Sequence, residues 1–205
     1  MQVLDKGYVE VLNVYGSEKD IVSAARLSYG KETADEEKNK RLLGVLIREN
    51  HGVPFEHVGF QFKIKCPIFV ARQIIRYRHA STSEISGRYT KSGCEFYIPS
   101  ESRSNNTNQQ IKLICQKIKN EYEDLLANSV PKEVARMILP LNTYTEFIWS
   151  INLRSLLHFL EQRLDKHAQY EIRMYADALD AFLFNHFENV WREFHNKYSS
   201  LPKYL

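Results

Sequence analysis

From Arg72 to Tyr89 the chain reads R-Q-I-I-R-Y-R-H-A-S-T-S-E-I-S-G-R-Y. The segment holds four arginines (Arg72, Arg76, Arg78, Arg88), one histidine, four Ser/Thr hydroxyls and one glutamate. A solvated helix face usually mixes acids with bases and draws on lysine. Arginine interleaved with serine and threonine suits forked hydrogen bonding to phosphate and to planar polar rings. The segment therefore points to an anionic, nucleotide-like ligand. The plainer alternative is a basic helix end capped by its own hydroxyls and solvated by water. Against it, the preceding I-F-V-A reads as buried, which is expected to draw Arg76 and Arg78, either side of Tyr77, partly inside. An unpaired interior guanidinium is costly, and the nearby acids are Glu84 and Glu95. A bound phosphate would supply the counter-charge.

A second set of candidates lies further along. Arg136 stands in A-R-M-I-L-P, and N-L-R-S-L-L-H-F-L-E-Q-R carries Asn152, Arg154, His158 and Arg163. On a helix Arg154 and His158 share a face, with Leu156, Phe159 and Leu160 on the apolar side. From these residues alone, an amphipathic surface helix with a satisfied histidine reads equally well. Asp165 and His167 fit a helix start rather than a catalytic pair, and no Ser/His/Asp set emerges from the spacing. Ser28 in A-A-R-L-S-Y, and the loop H-G-V-P-F-E-H from His51 to His57, look like a helix end and a turn. Cys66, Cys94 and Cys115 are odd in number and far apart, arguing for neither a disulfide framework nor a zinc site. Cys66 closes a strand-like alternation and reads as a small buried hydrophobe. The histidines show no metal-binding spacing, so no metal is expected.

These side chains need a scaffold. The 205 residues suffice for one sizeable core, giving a single domain over residues 1–205. A hydrophobic fraction of 43% is ordinary for a soluble globular chain, and a net charge of +3 is too small to argue for bulk nucleic-acid binding. No apolar run approaches the roughly 18 residues of a membrane span, and M-Q-V-L-D-K-G-Y lacks a signal-peptide layout. Cytoplasmic placement without a membrane partner is the expectation.

Residues 2–14 read as an N-terminal strand region broken at Gly7, and 18–29 as a short helix. Thr33-Ala34-Asp35-Glu36 resembles a capping box opening a helix with Leu42, Leu43, Leu46 and Ile47 on one face, ending near His51-Gly52. Val58, Phe60, Phe62, Ile64 and Cys66 alternate with Gly59, Gln61, Lys63 and Lys65, the period of a half-buried strand. Pro67 suits the first turn of a helix from Ile68 to about Arg78, which would set Arg72 and Arg76 on one face. S-T-S-E-I-S-G is expected to leave that helix as a loop. A short strand over 95–98, an amphipathic helix over 108–128 and a short helix from Pro131 follow. Thr143, Thr145, Phe147, Trp149 and Ile151 mark another strand. Helices over 153–162 and 167–196 close the chain, the latter breaking near Asn185. Strands and helices mix without a β-α-β repeat. The fold class is therefore α+β, a central, largely antiparallel sheet with helices packed around it.

R-Y-R, seven residues, Ser86 and then G-R-Y resembles the signature of the flavin-dependent thymidylate synthases, whose pattern is R-H-R, seven residues and Ser. A-A-R-L-S-Y, H-G-V-P-F-E-H, P-I-F-V-A-R-Q, S-G-R-Y, C-E-F-Y-I-P, E-V-A-R-M-I-L-P-L-N and R-L-D-K-H-A-Q resemble stretches of that family in the same order. Together they cover about residues 1–190. The resemblance implies reductive methylation of dUMP to dTMP, with methylenetetrahydrofolate as carbon donor, NADPH as reductant and FAD as hydride carrier. It implies a homotetramer whose active sites are built from more than one subunit.

Residue roles follow from the same resemblance. Gln73, Arg76, Glu84, Ile85, Ser86, Gly87, Arg88, Arg136 and Arg163 match positions that hold dUMP, with Arg88 and Arg136 at its phosphate. Arg163 matches the arginine against the uracil, where a cation favours loss of the N3 proton, and is the catalytic candidate. Ser28, Val53, Arg76, Tyr77, Arg78, Glu84, Asn152, Arg154 and His158 match positions around FAD. His51 matches one near the folate and flavin entrance. The family is thought to work without an enzyme nucleophile, which fits the lack of a nucleophilic cysteine. Ser86 has no neighbouring base and reads as a ligand contact.

Three positions depart from the usual pattern: Tyr77 stands for His, Ser83 for Asn and His158 for Asn. A phenol still stacks, but it carries no imidazole charge near neutral pH. Two other readings stay open. One is a relative with altered group transfer or weak activity; the other is a basic module binding nucleic acid through arginine and aromatic residues, without a chromophore.

Overall fold

The computed structural model describes residues 1–28, 30, 35–88, 94–199 and 201. In chain order these form β1 (Gln2–Val3), β2 (Gly7–Tyr15), α1 (Glu18–Leu27), α2 (Glu36–Arg48) and a 3-10 turn (Val53–His57). Then come β3 (Gly59–Pro67), α3 (Ile68–Ile74), β4 (Ala80–Glu84), α4 (Asn108–Ala127) and α5 (Lys132–Ala135). A second 3-10 turn (Arg136–Ile138), β5 (Tyr144–Asn152), α6 (Leu153–Arg163), α7 (Tyr170–His186) and α8 (Glu188–Lys197) complete it. The strands build one antiparallel sheet in the order β1-β2-β3-β5-β4. The expected α+β class with a central antiparallel sheet is what the chain adopts.

Period-two patterning sets the layers. Phe60, Phe62 and Ile64 of β3 register with Ile151, Trp149 and Phe147 of β5, and all six point into the core. α6 and α7 cover that face with Leu156, Phe159, Leu160, Tyr175, Leu179 and Phe182. Phe182 meets Phe60 and Phe62 edge-on at 5.4 and 5.3 Å, and Phe159 meets Trp149 at 5.4 Å, the geometry that aromatic quadrupoles favour. Cys66 is fully buried here, and burial pushes its thiol well up, out of the reactive range. The opposite sheet face is polar: Lys63 pairs with Glu146 at 2.9 Å and Gln61 donates to Ser150 at 3.3 Å. A second, smaller core of Cys94, Phe96, Cys115, Tyr122 and Ala135 lies under α4.

Several boundaries differ from expectation. S-T-S-E is not a loop: residues 80–84 pair with β5 as the sheet's edge strand. With one hydrogen-bonded neighbour and mostly exposed side chains, such a strand needs no apolar alternation. Because that pairing claims the chain from Ala80 onward, α3 stops at Ile74 instead of running to Arg78. Arg76 lies beyond the helix and does not share a helical face with Arg72. Residues 95–98 make only an isolated bridge, Phe96 to Thr143. Asp35 caps α2 by accepting from Lys38 N at 3.1 Å, while Thr33 and Ala34 of the expected box lie outside the described residues. The last helix breaks at Phe187, whose φ of −139° and ψ of 54° separate α7 from α8.

Among the described residues no helix is long and apolar enough to cross a membrane, and no group of three or more His, Cys, Asp or Glu side chains is placed to hold a metal ion.

Candidate active site

α6 gathers the site. It begins where β5 leaves the sheet, with Asn152 as N-cap accepting from Ser155 N at 2.9 Å. One side of the helix is apolar and buried. The other turns Arg154, Leu157, His158 and Glu161 into a cleft of about 560 Å³. The end of α2 and the turn after it supply Ile47, Asn50, His51 and Phe55 to the opposite wall, and α8 closes one side with Phe194, Lys197 and Tyr198. Arg154 packs directly on Gly52 in that wall: a Cβ there would lie 2.5 Å from Arg154 Nε and would push the guanidinium aside. The Arg154 guanidinium lies across this loop and pairs with Glu56. His79 and Asn152 stand at the mouth, where a shallower groove of about 460 Å³ continues over the polar sheet face past Asn13, Gln61 and Ser150.

Beside the cleft, Tyr77 sits in the turn after α3. Its ring meets the edge of His158 at 5.6 Å and of Phe159 at 5.1 Å, and the Arg163 guanidinium carbon lies 5.5 Å from its centroid. Burial raises the phenol above its ordinary value, partly offset by the charge of Arg163. Arg163 is half-buried. Its Nε is buried without a hydrogen-bond partner, and no carboxylate among the described residues pairs with it. In the last turn of α6 its charge also faces the negative end of the helix dipole. Gln73, one turn before Tyr77, donates to Gln169 at 2.9 Å.

A second cluster lies at the free end of β4. The Glu84 carboxylate accepts from the Thr145 hydroxyl, Ile85 N donates to Glu146 O at 2.9 Å, and Arg88 N donates to Ser86 Oγ at 3.3 Å. A Cβ on Gly87 would sit 3.3 Å from Arg136 Cδ, so the Arg136 side chain packs directly on this turn. Arg88 reaches Glu133 at 3.2 Å.

The structure thus brings His51, Asn152, Arg154 and His158 into one cleft, with Tyr77 and Arg163 adjoining. Ser86, Gly87, Arg88 and Arg136 meet elsewhere. Ser28 caps α1 on the surface, and Val53 is exposed at the start of its turn; neither lines the cleft. Arg76 and Arg78 are exposed, which corrects the expectation that they are partly buried: the buried I-F-V-A belongs to a helix that ends before them. The desolvation argument applies to Arg163 instead. His158 is exposed in the cleft and lies 3.5 Å from Glu161. Asp165 and His167 form an exposed turn, joined at 2.9 Å, ahead of α7. Sequence reasoning missed Lys197 and Tyr198. Lys197 donates to Ile47 O at 2.7 Å, and burial, then Glu161, raises the Tyr198 phenol.

The profile of the thymidylate synthase complementing protein family matches residues 10–187. A flavin-dependent thymidylate synthase from Thermotoga neapolitana is 50% identical over 184 residues, covering 86% of this chain and 85% of that protein. One from Pseudothermotoga lettingae is 44% identical over 189 residues, covering 87% and 86%. Among solved structures, the UMP/dUMP methylase PolB from Streptomyces cacaoi, bound with 5-Br dUMP, superposes with a TM-score of 0.87 at 28% identity, over 96% of this chain and 97% of that one. With the ordered motifs, the antiparallel sheet and this agreement along nearly its whole length, the chain belongs to the flavin-dependent thymidylate synthase family.

Proposed function

We propose that the protein methylates dUMP to dTMP, taking the carbon from methylenetetrahydrofolate and reducing equivalents from NADPH, with FAD as the resident cofactor. The observation that carries this reading is Arg163: a half-buried cation beside a large cleft, with a buried, unpartnered Nε and no carboxylate partner among the described residues. Such a charge is costly unless a ligand compensates it. A pyrimidine carbonyl set against it would carry more negative charge as N3 loses its proton, so the guanidinium favours that ionisation.

The cleft residues fit a flavin dinucleotide. Phe55, Leu157 and Phe194 offer apolar surface to a flat ring system, and Arg154 and Lys197 offer positive charge to a diphosphate. FAD bound there would supply hydride chemistry. Around it the protein's own groups do three things. Asn152 spends its side-chain oxygen on the helix cap and keeps its amide hydrogens for a ligand. His51 and His79 line the cleft, and the buried apolar side of α6 excludes water from behind.

The dUMP candidates divide into Gln73, Arg76 and Arg163 at the ends of α3 and α6, and Glu84, Ile85, Ser86, Gly87, Arg88 and Arg136 around the end of β4. Neither group lines the α6 cleft itself. The family resemblance supports a homotetramer in which copies of the chain share the active sites. The test is direct. Purified protein is expected to carry FAD whose visible absorption bleaches with NADPH, faster when dUMP is present. Colourless protein that takes up no added FAD rejects the proposal.

A further inference from the structure

We propose that the aromatic ring of Tyr77 is the seat that holds Arg163 against the pyrimidine, making Tyr77 a positioning residue for the reaction; this rests on the reading of Arg163 given above. An arginine side chain is long and flexible, and a polarising cation displaced by an ångström loses much of its effect. Arg163 has no carboxylate among the described residues to fix it. It has a ring: the guanidinium carbon stands 5.5 Å from the Tyr77 centroid, within the range of a cation attracted to an aromatic face.

The ring is itself held. Phe159 and His158 press on it at 73° and 67°, and Phe159 in turn packs at 67° on the fully buried Trp149. A continuous line of aromatic contacts therefore runs from the sheet core to the cation. The Tyr77 hydroxyl is buried near the same guanidinium without a well-formed hydrogen bond, and Tyr77→Phe separates the ring face from the oxygen. An imidazole at position 77 would repel Arg163 when protonated, which a phenol does not, and the neighbouring imidazole of His158 stands on the ring's edge.

The experiment is calorimetric titration of the FAD-loaded protein with dUMP, and in parallel with deoxyribose 5-phosphate, which lacks the pyrimidine. Tyr77→Phe is expected to bind dUMP within about twofold of the parent, and Tyr77→Leu about tenfold more weakly, with deoxyribose 5-phosphate unchanged in both. Phenylalanines bearing one, two and three ring fluorines at position 77 keep the packing and drain the ring's negative face, so dUMP affinity should fall stepwise. A flat fluorine series, a Tyr77→Phe loss as large as that of Tyr77→Leu, or equal weakening of deoxyribose 5-phosphate overturns the seat. Unchanged dUMP binding in Arg163→Ala would instead reject the role given to Arg163.

Discussion

The charged groups of the helical layer and those at the β4 edge are the same residue types in different media. On α7 and α8, buried Asp180 accepts from His195 Nε2 at 2.9 Å and from Trp191 Nε1 at 3.1 Å. Buried Glu171 accepts from the Tyr97 hydroxyl at 3.2 Å and from Arg103 at 3.3 Å. At the edge, Arg88 and Glu133 pair at 3.2 Å with their side chains 53% and 54% exposed, while Arg76, Arg78 and Arg136 lie in water. In water such pairs contribute about 0–1 kcal/mol. In the interior, removal of one partner strands the other. The arginines between residues 72 and 88 are therefore cheap to hold without a ligand, whereas the half-buried Arg163 on α6 is not.

The contrast would break first at Asp180. Asp180→Ala removes the acceptor of two donors and is expected to cost about 3–5 kcal/mol in urea unfolding; a loss below about 1 kcal/mol would erase the difference between layer and edge.

Asp177 sharpens it. Burial, reinforced by Asp180 and opposed by Arg173, lifts its carboxyl to about 7. The folded form thus holds a proton that an unfolded chain releases near pH 4. The stabilising contribution is complete below that pH and is lost as pH rises through about 7. Asp177→Asn, which stays neutral, is expected to gain on the order of 1 kcal/mol over the parent above pH 8, after discounting for the half of the group that remains in water, and almost nothing at pH 4. Melting temperatures at the two pH values check the sign. The smallest effect belongs to the edge: Glu133→Gln should leave stability within about 0.5 kcal/mol at any salt concentration.

How much of this the sequence reveals follows from where each signal comes from. β3 and β5 are plain because each buries one face, which forces Phe60, Phe62 and Ile64, and Phe147, Trp149 and Ile151, into alternation. β4 is invisible to the same test, since an edge strand with exposed Ser81 and Ser83 has no buried face to repeat. The exposure of Arg76 and Arg78 is hidden in sequence because the buried run before them gives no sign that the helix ends at Ile74. Arg154 and His158 are legible as one face of α6. Lys197 and Tyr198 were not: Lys197 meets Ile47 across 150 residues, and no local period encodes such a meeting. The family, by contrast, was carried by ordered motifs that need no three-dimensional inference.

The break at Phe187 has one further consequence. Its ring is lodged edge-on against Phe60 at 5.4 Å, and from this joint α8 folds back until Phe194, Lys197 and Tyr198 wall the cleft. A ligand in the cleft would touch α6 and α8 together, so its binding energy would also anchor α8 in place. Filling the cleft and holding α8 would then be coupled, each strengthening the other.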